Sequence, residues 1–177
     1  PSLENDRQRL LELLRTHSFE RRQVTLASGR SSNFYIDCKR TTLRAEGHWL
    51  VGRLLLDRIL SEAPNVGAVG GLTLGADPIA SAVSMASWMA ARPLEAFLVR
   101  KEAKGHGTKR WLEGPALSAG LPVAIVEVVV TTGGSGLLAA QKAREAGLEV
   151  LGIFALVDRL EGGREAVEAE GLRLHSL

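Results

Sequence analysis

The chain has 177 residues, of which 45% are hydrophobic, enough for one domain with a sizeable core. Its 22 basic and 20 acidic residues give a net charge of +2, which argues against a nucleic-acid binder with a broad basic face. The positive charge is nevertheless concentrated. Residues 100–110 hold five basic residues and one acid, a charge of +4, so the rest of the chain sums to −2.

Cysteine content and hydropathy set further limits. A single cysteine, Cys38, precludes an intrachain disulfide and a zinc site built from cysteines. The first residues lack the apolar core of a signal peptide, and no stretch approaches the ~18 uninterrupted apolar residues of a membrane span. We therefore expect a cytoplasmic protein.

The N-terminal third of the chain mixes helix and strand patterns. Residues 3–15 place leucines among charged side chains at a spacing that predicts an amphipathic helix. Two short strands, at 23–26 and 34–38, are predicted around a turn at 27–31. A second helix is predicted at 44–61. Its buried stripe consists of four aliphatic residues, Leu50, Leu54, Leu55 and Ile59.

The rest of the chain alternates strands with helices. Strands are predicted at 66–71, 97–100, 123–130 and 150–157, and helices at 78–91 and 137–146. Asp77 and Pro78 are expected to begin the first of these helices, with Asp77 as its cap, and Gly147 to end the second. This alternation predicts an α/β fold with a doubly wound, mostly parallel sheet. We find no internal repeat or linker, so residues 1–177 are expected to form a single domain.

The strongest local signal follows the strand at 123–130. Two threonines, two glycines and a serine occupy positions 131–135, between that strand and a helix. Unpaired N–H groups and the helix dipole favour an anion at such a turn, and the glycines let it approach closely. The pattern is neither a Walker A loop nor Gly-x-Gly-x-x-Gly. It predicts a phosphate-binding loop, the alternative being an ordinary strand–helix connection.

Four segments carry a resemblance to a known family. Residues 127–135 resemble the phosphoribosyl-pyrophosphate (PRPP) motif of the type I phosphoribosyltransferases. Three others narrow this to the orotate phosphoribosyltransferases: 100–107 resemble the mobile catalytic loop, 157–164 the late strand with its orotate-contacting arginine, and 26–30 with 34–37 the N-terminal hood. They occur in the family's order. The resemblance implies a type I phosphoribosyltransferase fold with hood elements at about 1–40.

The resemblance also implies a reaction. Orotate attacks C1 of PRPP through its ring nitrogen, and pyrophosphate leaves, giving orotidine 5′-monophosphate in UMP synthesis. Cations are needed where negative charge grows on the leaving pyrophosphate. In the family's pattern Lys104 and His106 are catalytic, Arg100 acts in its own subunit, and Lys101, Lys104 and His106 reach into a neighbour's site, which implies a homodimer. A solvated basic loop is the alternative for this segment.

The implied binding residues lie mostly in the PRPP motif. PRPP would contact Arg100, Lys101, Lys104, His106, Glu127, Val128, Val129, Val130, Thr131, Thr132, Gly133, Gly134 and Ser135. Orotate would contact Thr131 and Arg159, whose planar guanidinium suits bidentate binding of a carboxylate; the alternative for Arg159 is a surface arginine. Phe34 and Tyr35 either flank the base or pack in a small core. Mg²⁺ is expected on PRPP, held largely by substrate and water, with no protein metal site.

The sequence departs from the family where two adjacent acids normally bind the ribose hydroxyls. Here Glu127 is followed by Val128. A hydrogen bond to a charged group contributes ~1.5–3 kcal/mol, so we expect weaker binding of PRPP or of the transition state and reduced activity. Lysines of some relatives are also missing at Ala27 and Gly75. Three residues are candidate substitutes for these lysines: Lys39, Arg40 and Asp77.

Two other functions are also compatible with the sequence. A phosphoribosyltransferase for another base would leave Arg159 without a carboxylate to bind. A non-catalytic PRPP-sensing regulator is favoured by the missing acid and disfavoured by the basic loop. Cys38 is expected to be an incidental thiol. Three histidines lack ligand-spaced partners, so metal binding by them is not expected: His17, His48 and His175.

Overall fold

The computed structural model describes residues 2–25, 29, 31–102 and 111–177. Helix α1 (Leu3–Leu13) forms as its leucine spacing predicts, begins at the N-cap Ser2, and continues into a π-helical turn. Four two-residue strands follow: β1 (Phe19–Glu20), β2 (Val24–Thr25), β3 (Ser31–Ser32) and β4 (Tyr35–Ile36).

Short strands lie within both of the segments predicted at 23–26 and 34–38: β2 in the first and β4 in the second. The sequence does not predict which strands they pair with. β2 pairs with β3, and β4 pairs with β1, both antiparallel. Ser32 Oγ donates a hydrogen bond to Phe34 O at 3.0 Å, which holds the turn between β3 and β4. Such a polar side-chain turn gives little signal in hydrophobic patterning.

The remaining helices and strands complete a layered structure. Helices α2 (Lys39–Thr42) and α3 (Ala45–Glu62) precede β5 (Ala68–Leu72), α4 (Asp77–Met89) and β6 (Glu95–Val99). Then come β7 (Leu112–Glu113), β8 (Pro122–Val130), α5 (Gly134–Glu145), β9 (Glu149–Asp158), α6 (Gly163–Ala169) and β10 (Leu174–Ser176). The sequence predicted each of the long elements, but not α2, β7, α6 or β10.

Six strands form one sheet in the order β10-β9-β8-β5-β6-β7. All neighbours are parallel except β7, which runs antiparallel to β6 at one edge. The predicted doubly wound, mostly parallel α/β fold is confirmed. β8 lies inside the sheet between β5 and β9, which explains its almost unbroken run of β-branched residues.

Side chains of β8 alternate between two apolar layers. Ala124 and Val126 pack with α1, α3 and α4 on one face, and the stripe predicted for α3 is buried there. Val123 and Ile125 pack with α5 and α6 on the other face. Each buried valine or isoleucine contributes about 1.5–3 kcal/mol, so this strand joins both helical layers to the sheet.

The start of α4 corrects one expectation. Asp77 is not the cap; Ala76 occupies that position, and no side chain caps the helix within the described residues. The Oδ1 atom of Asp77 is buried and has no hydrogen-bond partner among them. Burial raises the pKa of this carboxyl group. Position 77 therefore places a poorly solvated acid beside the carboxyl end of β5.

None of the helices in the described ranges combines the length and the apolar character that crossing a bilayer requires.

Candidate functional site

Because these strands are parallel, the carboxyl ends of β5, β6, β8 and β9 lie at one edge of the sheet. Loops follow each of these strand ends. Thr73 N donates to Val99 O at 2.8 Å, and Arg159 N donates to Val130 O at 2.9 Å, so the loops are joined in pairs. In open α/β sheets ligands bind at this edge.

The predicted phosphate loop at 131–135 lies between β8 and the first turn of α5. Gly133 is the N-cap of α5 and has φ +86°, a conformation that glycine adopts without strain. Gly163 packs beneath it: a Cβ atom there would lie 2.4 Å from Val130 Cγ1 and 2.7 Å from Thr131 O. Glycine at position 163 therefore lets the α6 turn support the loop.

A cavity of about 400 Å³ opens over this loop. Its walls come from the ends of β5 and β8, the loop and the first turns of α5. The lining residues are Leu72, Glu127, Val129, Val130, Thr131, Thr132, Gly133, Gly134, Ser135, Gly136 and Leu138. The cavity is thus lined by the hydroxyl and N–H groups of the loop and by one carboxyl group.

Glu127 is that carboxylate. The residue is 9% exposed, and its Oε1 accepts a hydrogen bond from Val128 N at 2.9 Å. Burial raises the pKa of Glu127, while the hydrogen bond from the Val128 backbone opposes that shift. Its position in the cavity wall suits an acceptor for hydroxyl groups of a ligand.

Val128 lies on the opposite face of β8. It belongs to the apolar layer of α3 and α4, and its Cγ2 atom lies 3.5 Å from where a Cβ on Gly75 would sit. It is not among the residues that line the cavity. An acid at this position would therefore face the 73–77 loop, so a ligand reached by both acids would have to lie over the strand end.

Arg159 is buried, with 4% of its side chain exposed, and is not a surface arginine. Its Nε atom donates to Glu161 Oε1 at 2.7 Å, and its Nη2 atom donates to Ser32 Oγ at 3.0 Å. The guanidinium carbon lies 4.3 Å from the centroid of the Phe34 ring, which in turn stacks on Phe19. The guanidinium is thus held in one plane over the Phe34 ring, and Arg159 is not among the described residues that line the cavity over the 131–135 loop.

The basic segment is described only at its start. Arg100 Nη1 lies 3.1 Å from Glu113 Oε1 of β7, and Lys101 is exposed. The predicted catalytic residues Lys104 and His106 lie outside the described residues, and their roles stay predictions.

The other sequence candidates are engaged elsewhere or inert. Lys39 pairs with Asp37 at 3.1 Å, and Arg40 pairs with Glu20. Burial raises the pKa of the Cys38 thiol to about 12, so it is protonated at neutral pH and a poor nucleophile. Within residues 2–25, 29, 31–102 and 111–177, no group of three or more His, Cys, Asp or Glu residues could hold a metal ion.

The sequence did not indicate two residues that hydrogen-bond to Arg159, Glu161 and Ser32. Glu161 stands two positions after Arg159, and its charge could have suggested the pairing. Ser32 is 127 residues away from Arg159 in the chain, and its contact leaves no local signal.

Known proteins resemble the chain over almost its whole length. It is 55% identical over 169 residues to the orotate phosphoribosyltransferase of Sorangium cellulosum, covering 95% of this chain and 88% of that protein. The chain belongs to the orotate phosphoribosyltransferase family. No protein-family model matches it.

Solved structures agree with this membership. The orotate phosphoribosyltransferase of Mycobacterium tuberculosis in complex with Fe(III) dicitrate superposes with a TM-score of 0.84 at 44% identity, covering 97% of this chain and 94% of that one. The same enzyme in complex with PRPP gives a TM-score of 0.78 at 38% identity, covering 97% and 87%. The family fold is therefore confirmed for this member.

We predict that Glu127→Gln stabilises the folded chain at neutral pH. Because burial raises the pKa of Glu127 in the folded state, the folded state binds this proton more tightly than the unfolded state does, and the stability that it contributes is lost as the pH rises from about 4.5 through the folded pKa. Glutamine keeps the acceptor for Val128 N without the buried charge. Thermal unfolding at pH 7.5 should give a melting temperature higher by about 2–4 °C, the change that ~1 kcal/mol produces in a chain of this size. Glu149→Gln, at an exposed position, is the control; an unchanged or lower melting temperature for Glu127→Gln contradicts the prediction.

Proposed function

We propose that this protein transfers the ribose 5-phosphate group of PRPP to orotate, giving orotidine 5′-monophosphate and pyrophosphate. One observation carries the proposal. The hydrogen bond between Arg159 N and Val130 O joins a buried arginine to the strand that leads into the phosphate loop. Neighbouring strands lie about 4.8 Å apart, so an anion site and a carboxylate site stand side by side, as a phosphorylated sugar and orotate require.

Each binding residue has a separate task in this reaction. The N–H and hydroxyl groups of Thr131–Ser135 hold the 5′-phosphate at the N-terminus of α5. Glu127 accepts hydrogen bonds from the ribose hydroxyls. Arg159 binds the orotate carboxylate through parallel N–H donors, with Thr131 at the edge of the base. The two substrates are thereby held with the ring nitrogen of orotate facing C1 of PRPP.

The departing pyrophosphate needs positive charge as the C1–O bond breaks and the C1–N bond forms. Arg100, at the end of β6, stands at the same sheet edge as the phosphate loop. Lys101, Lys104 and His106 follow it, and we assign Lys104 and His106 the catalytic role of stabilising the leaving group. Arg100 Nη1 pairs with Glu113 in the present structure, and we propose that the guanidinium turns towards PRPP when the substrate binds.

Magnesium is the metal we propose to accompany PRPP. Glu127 supplies one carboxylate in the cavity wall, which fits an ion that takes few protein ligands and keeps substrate oxygens and water. When bound, the ion neutralises part of the pyrophosphate charge.

We propose that the protein is a homodimer, with Lys101, Lys104 and His106 acting in the partner's site. An exposed apolar stripe on α4 supports this assembly and marks the face that a second copy would cover. Met85, Trp88 and Met89 are spaced along one side of the helix and are 60%, 72% and 64% exposed. Exposed apolar side chains grouped in this way mark interaction surfaces.

Other readings are less well supported. A phosphoribosyltransferase for a different base has no use for a buried arginine aligned for a carboxylate. A PRPP-sensing regulator has no use for cations at the leaving group. We also propose that residues 1–177 form a single domain, with the hood at about 1–40. The proposed location of the protein is the cytoplasm.

A spectrophotometric assay of orotate consumption with PRPP and Mg²⁺ tests the proposed function. Loss of orotate absorbance that requires PRPP is expected. Conversion of another base with orotate untouched supports the second reading. Binding of PRPP without turnover of any base supports the regulator.

We predict that Val128→Asp raises kcat/KM for PRPP. The restored acid adds a hydrogen bond to the ribose that is worth ~1.5–3 kcal/mol, or about 10- to 150-fold. Val128→Asn, which is polar and of similar shape but uncharged, is the matched control and should gain much less. If kcat/KM for PRPP does not rise in Val128→Asp, in protein whose circular dichroism matches that of the parent, Val128 does not limit the activity.

We predict that Trp88→Glu disrupts the dimer. A charge in the centre of the α4 stripe must be desolvated on association, so sedimentation should shift towards the monomer and turnover should fall with it. Leu11→Glu places the same charge at an exposed leucine of α1 and should leave both measurements unchanged. A dimer that survives Trp88→Glu would place the interface on another face.

A further inference from the structure

We propose that Ser32 and Glu161 are positioning residues that hold Arg159 for the carboxylate of orotate, so that the N-terminal strands take part in base recognition. The inference rests on the proposed function and deepens it. Neither side chain needs to touch the substrate. Each acts through the guanidinium of Arg159.

Binding a carboxylate through two parallel N–H groups depends on the plane of the guanidinium. Three contacts set that plane: the bond from Nε to Glu161 Oε1 at 2.7 Å, the bond from Nη2 to Ser32 Oγ at 3.0 Å, and the Phe34 ring at 4.3 Å. Because the side chain is 4% exposed, little water competes for these donors. An arginine fixed in this way loses little further freedom when the ligand binds.

The hydroxyl of Ser32 ties two of these contacts together. Its single proton is donated to Phe34 O at 3.0 Å, which leaves the oxygen lone pairs to accept from Arg159. The residue thereby fixes the main chain of Phe34 and the guanidinium that lies over its ring. Phe34 N also donates to Ser32 Oγ, at 3.4 Å, so loss of the hydroxyl removes three hydrogen bonds at once.

The turn after β9 aims Glu161 at Arg159. Leu160, between them, adopts φ +58° and is 82% exposed, while its N–H donates to Asp158 Oδ1 at 2.9 Å. In this conformation the side chain of Leu160 points to solvent, and the side chains of Arg159 and Glu161 contact each other on the inner side of the turn. A leucine rarely adopts this conformation, and it is found where surrounding contacts enforce it.

Glu161 could act in two opposite ways. As a positioning residue it orients the guanidinium and strengthens orotate binding. As a competitor it neutralises the arginine and weakens that binding. The short bond to Nε, on the stem side of the guanidinium, favours positioning, because it holds the group by the atom nearest the chain.

The test measures KM for orotate, KM for PRPP and kcat in Ser32→Ala, with Ser32→Thr and Ser31→Ala as controls. Ser32→Ala should raise the orotate KM about tenfold, the effect of losing a hydrogen bond to a charged group. The KM for PRPP should change less than about twofold, because the phosphate loop keeps its own contacts. Threonine restores the hydroxyl and should rescue the orotate KM, and Ser31→Ala, on the exposed side of β3, should behave as the parent.

Glu161→Ala provides an independent measurement of the second residue. A higher orotate KM is expected, and a lower one identifies Glu161 as a competitor and overturns its positioning role. For Ser32→Ala, an unchanged orotate KM, or equal rises in the KM values for orotate and PRPP, overturns the inference. The proposed function still stands in that case, provided that the parent protein converts orotate. Absence of turnover in the parent protein overturns both.

Discussion

The site depends on the parallel pairing of β8 with β9. This pairing extends from Pro122 and Glu149 to Val130 and Asp158, and one further bond continues it to Arg159. It therefore brings the phosphate loop and the arginine turn to the same height at the sheet edge. Gly163 adds a second link, because its missing side chain lets the turn pack directly beneath the loop. Backbone hydrogen bonds thus fix the main chain of Arg159 relative to the loop at 131–135, and side-chain contacts fix its guanidinium.

Side chains alternate between the two faces of β8, and this alternation separates the environments of Glu127 and Val128 at the end of the strand. Adjacent residues of a strand face opposite sides of the sheet, so Glu127 lines the cavity while Val128 joins the apolar layer beside Gly75. A valine there fits the core without strain, and the fold gains apolar burial where a charged pair would need solvation. If Val128→Asp raises activity as proposed, stability and ligand binding favour different residues at this position, which is common at functional sites.

Much of this structure could be predicted from sequence, and the failures have physical causes. Long buried elements such as α3 and β8 were predictable because their apolar periodicity is strong. The pairing of β2 with β3 was not, because two-residue strands are fixed by turns and side-chain hydrogen bonds. The cap of α4 was misassigned because Asp77-Pro78 looks like a cap followed by a first turn, whereas the helix begins one residue earlier. The motifs single out the loop at 131–135 and Arg159 as site candidates, but Ser32 is joined to Arg159 only by tertiary contact.

The separation of 127 residues between Ser32 and Arg159 has a consequence for how the molecule assembles. Contacts between β8 and β9 close a short stretch of chain around α5, whereas the Ser32 contact must close most of the polypeptide and carries a larger entropic cost. We therefore expect the phosphate loop to form with the sheet during folding and the base-recognition contacts to form afterwards. On this order, the loop at 131–135 is already in place when the N-terminal strands dock against Arg159.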